Sequence, residues 1–348
     1  MQEQTHTLTS GLPQAPHQTD ARHPAYRYLG RIDFRDTAGP RLAWAGSGLL
    51  FRFRGPRLVL HLASSGENAV RIRIDEQIRV ARLNICGNCS FTLDLDPADD
   101  QPHSCEIIKL TEPFIGTLQI LGLELPEGEL LPPPAQFPQR IEFMGDSITG
   151  GFGVTGDQFT DFRPDTCDVT QAYAWQCAET LGFEPRISAW SGLGLTRNYD
   201  DSPLTWTERY HWVLPELPEC SPTHDWQADW IVIHLGTNDF ANGVVPPQPS
   251  FVARYHQLLN EVRQNHPQAR IICCQGPLLQ PPASDTLRRY LQQVLQDSSL
   301  EQVYALEFAP QRPEHGYGVT MHPSRLTHQL MARQLSGFIA GLQAAQHR

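Results

Sequence analysis

The sequence predicts a two-domain chain of the α/β class, an all-β sandwich or jelly roll followed by a three-layer domain built on a parallel sheet. Three observations predict it. The 348 residues exceed the usual size of one domain. Hydrophobic residues alternate with period two as far as residue 130, then switch to apolar strand segments interleaved with helical periodicity. A proline-rich run, Leu131-Pro132-Pro133-Pro134, stands at the change.

Residues 1–26 are polar and rich in Gln, Thr, His and Pro, and they read as a disordered arm. They lack the basic start, apolar run and cleavage site of a secretory leader, so the chain as written is expected to be cytoplasmic, or secreted or periplasmic if a leader was removed. Residues 27–130 form the β-domain. Leu49–Arg54, Leu58–Leu62, Val70–Ile74 and Phe91–Leu95 alternate as strands, and Gly46, Gly48, Gly55, Pro56 and Gly66 punctuate them. Residues 131–139 are a linker.

Residues 140–348 form the α/β domain. Its expected strands are Arg140–Met144, Arg186–Trp190, Trp230–Leu235, Arg270–Cys274 and Val303–Phe308. Between them, one helix over Phe251–Asn265 turns Val252, Tyr255, Leu258, Leu259 and Val262 inward. Another follows Ser284 as N-cap, with Leu287, Tyr290, Leu291, Val294 and Leu295 inward. A last helix starts near Ser324. Alternation of this kind builds right-handed βαβ units, and such sheets bind ligands at the carboxyl ends of their strands.

A formal net charge of -11 argues against nucleic-acid and anionic-membrane partners. No apolar stretch reaches membrane-spanning length. Of the eight cysteines, Cys86 and Cys89 are spaced C-x-x-C, but no second pair completes a zinc site. Cys273 and Cys274 sit in an apolar run. Buried free thiols are the expected state, with no disulfide framework. The sequence carries no signal for oligomeric state.

Chemistry-bearing residues recur at the ends of the expected strands. After the first comes Gly145-Asp146-Ser147, where a tight turn can expose the Ser147 hydroxyl, although the same triplet also serves as a helix N-cap. After the second comes Ser191-Gly192-Leu193-Gly194, and at Gly192 a backbone N–H can approach a ligand unobstructed. After the third comes Gly236-Thr237-Asn238-Asp239, where the Asn238 amide can donate to a developing oxyanion or close an Asx turn. His322-Pro323-Ser324 precedes the last helix, and the proline holds the imidazole at a fixed place. Among the other histidines, His211, His224, His234, His315 and His328 read as surface or core residues.

These four blocks, in this order, resemble those of the SGNH (GDSL-type) hydrolases. Gly145-Asp146-Ser147 matches the nucleophile block, Gly192 the second, Gly236-Thr237-Asn238-Asp239 the third, and His322 the base. Four runs, Trp44–Phe53, Lys109–Glu112, Gly122–Leu125 and Arg140–Gly153, are similar to carbohydrate esterase family 2. That family joins a jelly-roll domain to an SGNH domain and removes acetyl groups from polysaccharides such as xylan and glucomannan. The resemblance implies catalysis by Ser147 and His322, with an oxyanion hole of Ser147, Gly192 and Asn238. It calls for no metal or organic cofactor, and makes an acetylated carbohydrate the partner.

One departure stands out. SGNH hydrolases place an Asp shortly before the histidine, whereas Tyr317-Gly318-Val319-Thr320-Met321 carries no carboxylate. The resemblance to family 2 implies a Ser-His dyad in which a backbone carbonyl takes the acid's place. Trp190 and Trp212 are candidates for stacking on a sugar, and Asp239 for accepting a sugar hydroxyl bond or bracing its own loop. Two other readings stay open: an esterase for other short acyl groups, and an inactive carbohydrate-binding protein on the same scaffold.

Overall fold

The computed structural model describes residues 18–75, 77–82, 87–96, 100–217 and 226–346. Positions 1–17 of the expected arm, Cys86 of the C-x-x-C pair and His224 lie outside them. The chain divides into two compact units between Gln136 and Phe137, inside the proline-rich segment.

The first unit is built from short antiparallel strands in two six-stranded sheets. The strands are β1 (Gln18–Thr19), β2 (Arg27–Leu29), β3 (Ile32–Asp33), β4 (Arg41–Leu42), β5 (Gly48–Arg54), β6 (Arg57–Ser64), β7 (Ala69–Ile74), β8 (Gln77–Arg82), β9 (Gly87–Asp94), β10 (His103–Lys109), β11 (Leu118–Glu124) and β12 (Glu129–Leu130). One sheet runs β3-β4-β11-β6-β9 with β1 beside β11; the other runs β12-β5-β10-β7-β8 with β2 beside β5. Period-two alternation puts Leu49, Phe51 and Phe53 of β5, Leu58, Leu60 and Leu62 of β6, and Val70, Ile72 and Ile74 of β7 into one apolar core. In β11 the buried positions change parity, from Leu118 and Ile120 to Leu123. A bulge between Ile120 and Gly122 inserts the residue that makes the change.

Residues 18–26, placed by composition in the expected arm, join the first unit. Gln18 and Thr19 pair with Glu124 and Leu123. Ala21 enters the core, and the Tyr26 ring packs edge-on to Phe51 at 5.7 Å. Polar residues join a sheet through their backbone, which a reading of side chains cannot register.

In the second unit, five parallel strands run in the order β14-β13-β15-β16-β17. They are β13 (Arg140–Gly145), β14 (Glu184–Ala189), β15 (Trp230–His234), β16 (Arg270–Gln275) and β17 (Val303–Glu307). The helices are α1 (Ser147–Gly150), α2 (Tyr173–Leu181), α3 (Trp206–Arg209), α4 (Gln248–Asn265), α5 (Ala283–Asp297) and α6 (Arg325–Gln346). Among the described residues, no helix is long and apolar enough to cross a membrane. The helix expected after Ser284 is α5, but Pro282 is its N-cap and Ser284 lies in its first turn. In α4 the buried face is Phe251, Tyr255, Leu258, Leu259 and Val262, so Phe251 takes the place expected for half-buried Val252.

The strand order positions the site. From β13 the chain crosses through α2 to one neighbour, β14, then returns past β13 to β15 and continues outward through α4 and α5. Right-handed crossovers in opposite directions put α2 on one face of the sheet and α4 and α5 on the other. A crevice opens where the direction reverses, at the carboxyl ends of β13 and β15. Ser147 and Asn238 follow those two strands.

Candidate active site

The corner after β13 is tight because Gly145 has no Cβ: one built there would lie 2.1 Å from Thr149 Oγ1. The Gly145 carbonyl accepts from Trp206 Nε1 at 2.9 Å, which pins the strand end. Asp146 caps α1, its Oδ1 accepting from the Ile148 N–H at 3.1 Å. Burial pushes the Asp146 carboxyl up to about 7; the Ile148 N–H opposes this and the charge of Asp239 adds to it. Thr149 fastens the same turn from below. Its hydroxyl lies 3.0 Å from Tyr173 Oη, which lies 3.1 Å from His234 Nδ1. His234 Nε2 faces the Gly276 carbonyl, an acceptor only, so Nε2 carries the proton and Nδ1 accepts from Tyr173. Burial holds the His234 pKa down to about 4. His234 and His328 are core residues, while His211 is exposed and His315 half-buried.

This frame leaves Ser147 6 % exposed at the sheet edge. Its Oγ lies 2.8 Å from His322 Nε2 across 175 residues of chain. The other ring nitrogen, Nδ1, lies 3.1 Å from the Val319 carbonyl and 3.0 Å from the Thr320 hydroxyl. A carbonyl accepts and cannot donate, so Nδ1 bears the proton and Nε2 presents its lone pair to Ser147. Among the described residues no carboxylate touches the ring; the Val319 carbonyl holds the tautomer. The loop is tied down by Gly318 N–H to the His322 carbonyl at 2.8 Å, Val319 N–H to the Gly153 carbonyl at 3.1 Å, and Gln311 Nε2 to the Met321 carbonyl at 2.9 Å. Phe152 covers the imidazole at 4.7 Å and stacks in turn on Phe162 at 4.2 Å. Burial holds the His322 pKa down to about 4, against the raising effect of the Val319 and Thr320 backbone.

Gly192 adopts φ +80, a left-handed backbone that favours glycine. Its carbonyl accepts from the Tyr199 N–H. The backbone N–H groups of Gly192 and Ser147 have no partner among the described residues, and both remain available as donors. Asn238 is more constrained than the sequence suggested. Its Nδ2 donates to the Leu193 carbonyl at 2.9 Å and to Asp146 Oδ2 at 3.2 Å, so both amide hydrogens already have acceptors.

The candidates for sugar contact fare differently. Asp239 is fully buried. It accepts from the N–H groups of Leu195, Thr196 and Arg197 and from the Thr196 hydroxyl, at 2.6 to 3.3 Å. It braces the Leu195–Arg197 segment of the loop after β14, not its own loop, with its oxygens taken up by these donors, and burial raises its carboxyl pKa despite these bonds. Trp190 is 7 % exposed, with the Arg209 guanidinium 4.5 Å above its ring. It belongs to the core and presents no face for stacking. Trp212 is half-buried, edge-on to Trp190 at 6.1 Å and also beneath Arg209.

Tyr199 is the aromatic that sequence reasoning missed. It is 57 % exposed, and a Cβ built on Gly192 would meet its own Cβ at 3.9 Å. Asn198, fully buried beside it, holds this loop by accepting from the Gly194 N–H and donating to the Ser202 and Leu204 carbonyls. Neither periodicity nor spacing marks a tyrosine in an irregular loop as adjacent to Gly192.

Both parts of the chain resemble known proteins. Residues 28–134 match the model of the carbohydrate esterase 2 N-terminal domain. Residues 143–330 match that of the GDSL-like lipase/acylhydrolase family. The chain is 34% identical over 325 residues to the cellulase/esterase CelE of Acetivibrio thermocellus, covering 92% of this chain and 40% of that protein. It is 25% identical over 345 residues to an acetylxylan esterase / glucomannan deacetylase of Cellvibrio japonicus, covering 94% and 92% of the two chains. The structure of a family two carbohydrate esterase from Clostridium thermocellum in complex with cellohexaose superposes with a TM-score of 0.86 at 35% identity, covering 92% of this chain and 99% of the other. The chain therefore belongs to carbohydrate esterase family 2, with a GDSL-like acylhydrolase domain behind a family 2 N-terminal domain.

Proposed function

We propose that this protein removes O-acetyl groups from neutral carbohydrates through an acetyl-serine intermediate. The observation that carries the reading is the 2.8 Å contact from Ser147 Oγ to His322 Nε2, with the tautomer set by the Val319 carbonyl. His322 takes the Ser147 proton as the oxygen attacks the acetyl carbonyl. The Ser147 and Gly192 N–H groups stabilise the oxyanion. Asn238 joins them by trading its longer contact, the one to Asp146, for the developing charge. His322 then protonates the leaving sugar oxygen. Water, deprotonated by the same nitrogen, cleaves the acetyl-enzyme to acetate and restores Ser147. The substrate class follows the relatives named for acetylxylan and glucomannan, and the net charge of -11 suits a neutral glycan.

The pH profile follows from His322. The base works only when neutral, and its pKa is about 4. Activity is expected to hold level from neutral pH down to about pH 5 and to fall with an acid-limb pKa near 4. An acid limb at the ordinary histidine value, near 6.5, would contradict a desolvated base.

The functional test is acetate release from acetylated xylan and from 4-nitrophenyl acetate, comparing wild type with Tyr199→Ala. Release from both esters is expected from wild type. Tyr199→Ala should raise KM on the polysaccharide several-fold and leave the small ester unchanged, as for a stacking platform beside the oxyanion donors. No release from wild type on either ester would reject the esterase reading.

A further inference from the structure

The loop that carries His322 has an unusual backbone. Thr320 lies at φ +49 and ψ +40, and Met321 follows at φ +65. Two consecutive non-glycine residues in the left-handed region are uncommon, and a β-branched residue there is an outlier that neighbouring structure must enforce. The enforcing contacts are those of Gly318, Val319 and Gln311 with the Gly153, His322 and Met321 backbones. One consequence of the conformation is specific: the Thr320 side chain folds back toward the ring two residues on, and its Oγ1 lies 3.0 Å from His322 Nδ1.

We propose that Thr320 is a positioning residue for the general base, its hydroxyl acting with the Val319 carbonyl as a two-oxygen cradle where related hydrolases use a carboxylate. The inference rests on the esterase reading above. The Val319 carbonyl assigns the Nδ1 proton, so the Thr320 oxygen accepts from the same N–H and turns its own hydrogen outward. When His322 becomes imidazolium, that N–H carries much of the new charge, and two oxygen dipoles stabilise it more than one. Among the described residues, the other groups against the ring are the Ser147 hydroxyl on Nε2, the apolar face of Phe152 and the Thr320 backbone. The titratable group behind them is buried His328, held neutral with a pKa of about 3 by burial and by His322 and His234. Among the described residues no carboxylate lies against the ring, and the Val319 carbonyl and Thr320 hydroxyl are the side of the cradle that meets Nδ1.

The test is a series at one position. Thr320→Val keeps the β-branched shape and loses the hydroxyl, Thr320→Ser keeps the hydroxyl, and Thr320→Asp places a carboxylate there on a residue that tolerates the left-handed backbone. On 4-nitrophenyl acetate, Thr320→Val should lower kcat roughly five- to ten-fold with KM unchanged, and Thr320→Ser should restore most of it. Thr320→Asp should move the acid limb upward by about one to three pH units, as an opposite charge within hydrogen-bond reach does. Titration of the His322 ring by NMR should show the same displacement. Because that measurement needs no turnover, it separates failure of this proposal from failure of the esterase reading. Unchanged kcat in Thr320→Val, or an unmoved His322 titration in Thr320→Asp, would overturn the assignment.

Discussion

Ser147→Ala is expected to abolish acetate release, lowering kcat by about 10³- to 10⁶-fold while leaving the protein folded. In the proposed mechanism the hydroxyl is the attacking group, and its polar side-chain contact is with His322, so little structure depends on it. The cost in stability should be about 1 kcal/mol, that of one lost hydrogen bond. His322→Ala should cause a loss of similar size, and the double variant should be no worse than either single one, because the two act as one unit. Thermal unfolding beside initial rates checks both statements. Retained turnover in Ser147→Ala would remove it as nucleophile. Independent, additive losses in the double variant would show that the two side chains do not work together.

Asn238→Ala should produce the next largest effect, a fall in kcat of about 10²- to 10³-fold with little change in KM. On the proposed mechanism the amide contributes only when charge develops on the carbonyl oxygen, because in the resting protein its hydrogens point to Leu193 and Asp146. A loss confined to KM would mean that Asn238 binds the substrate's ground state and donates nothing to the transition state. The variant also leaves the buried Asp146 Oδ2 without that donor. Asp146 already has a pKa of about 7, so it can relieve the loss by taking up a proton, and only a modest stability change is expected. Comparing kcat at pH 6 and pH 8, at matched folded fractions, separates the catalytic loss from any structural one.

The limits of sequence reading are clearest within single residues. Asp239 stood beside Asn238 in a motif and invited a substrate role, yet its oxygens are taken by N–H groups some 44 residues away. Trp190 looked like a rim aromatic because it ends a strand, but Arg209 and the sheet enclose it. The start of the β-domain was obscured because Gln18 and Thr19 join it through backbone pairing. In each case the deciding interaction links segments far apart in the chain, and no local pattern records which segments meet.

What the sequence determined by itself was whatever local physics writes into it. Alternation of period two specified the sandwich, and strand-helix alternation specified the parallel sheet, because each burial face repeats with its element. Ser147, Gly192, Asn238 and His322 were legible because short turns at strand ends need particular residues, and crossover handedness gathers those ends at one edge. The tertiary structure alone decided how those groups are oriented. It put the Val319 carbonyl and Thr320 hydroxyl on His322 Nδ1, Phe152 over the ring, Tyr199 beside Gly192, and the Asn238 amide on Leu193 and Asp146. Hydrogen bonds are directional to within a few tenths of an ångström, and packing between distant loops, not residue order, sets distances on that scale.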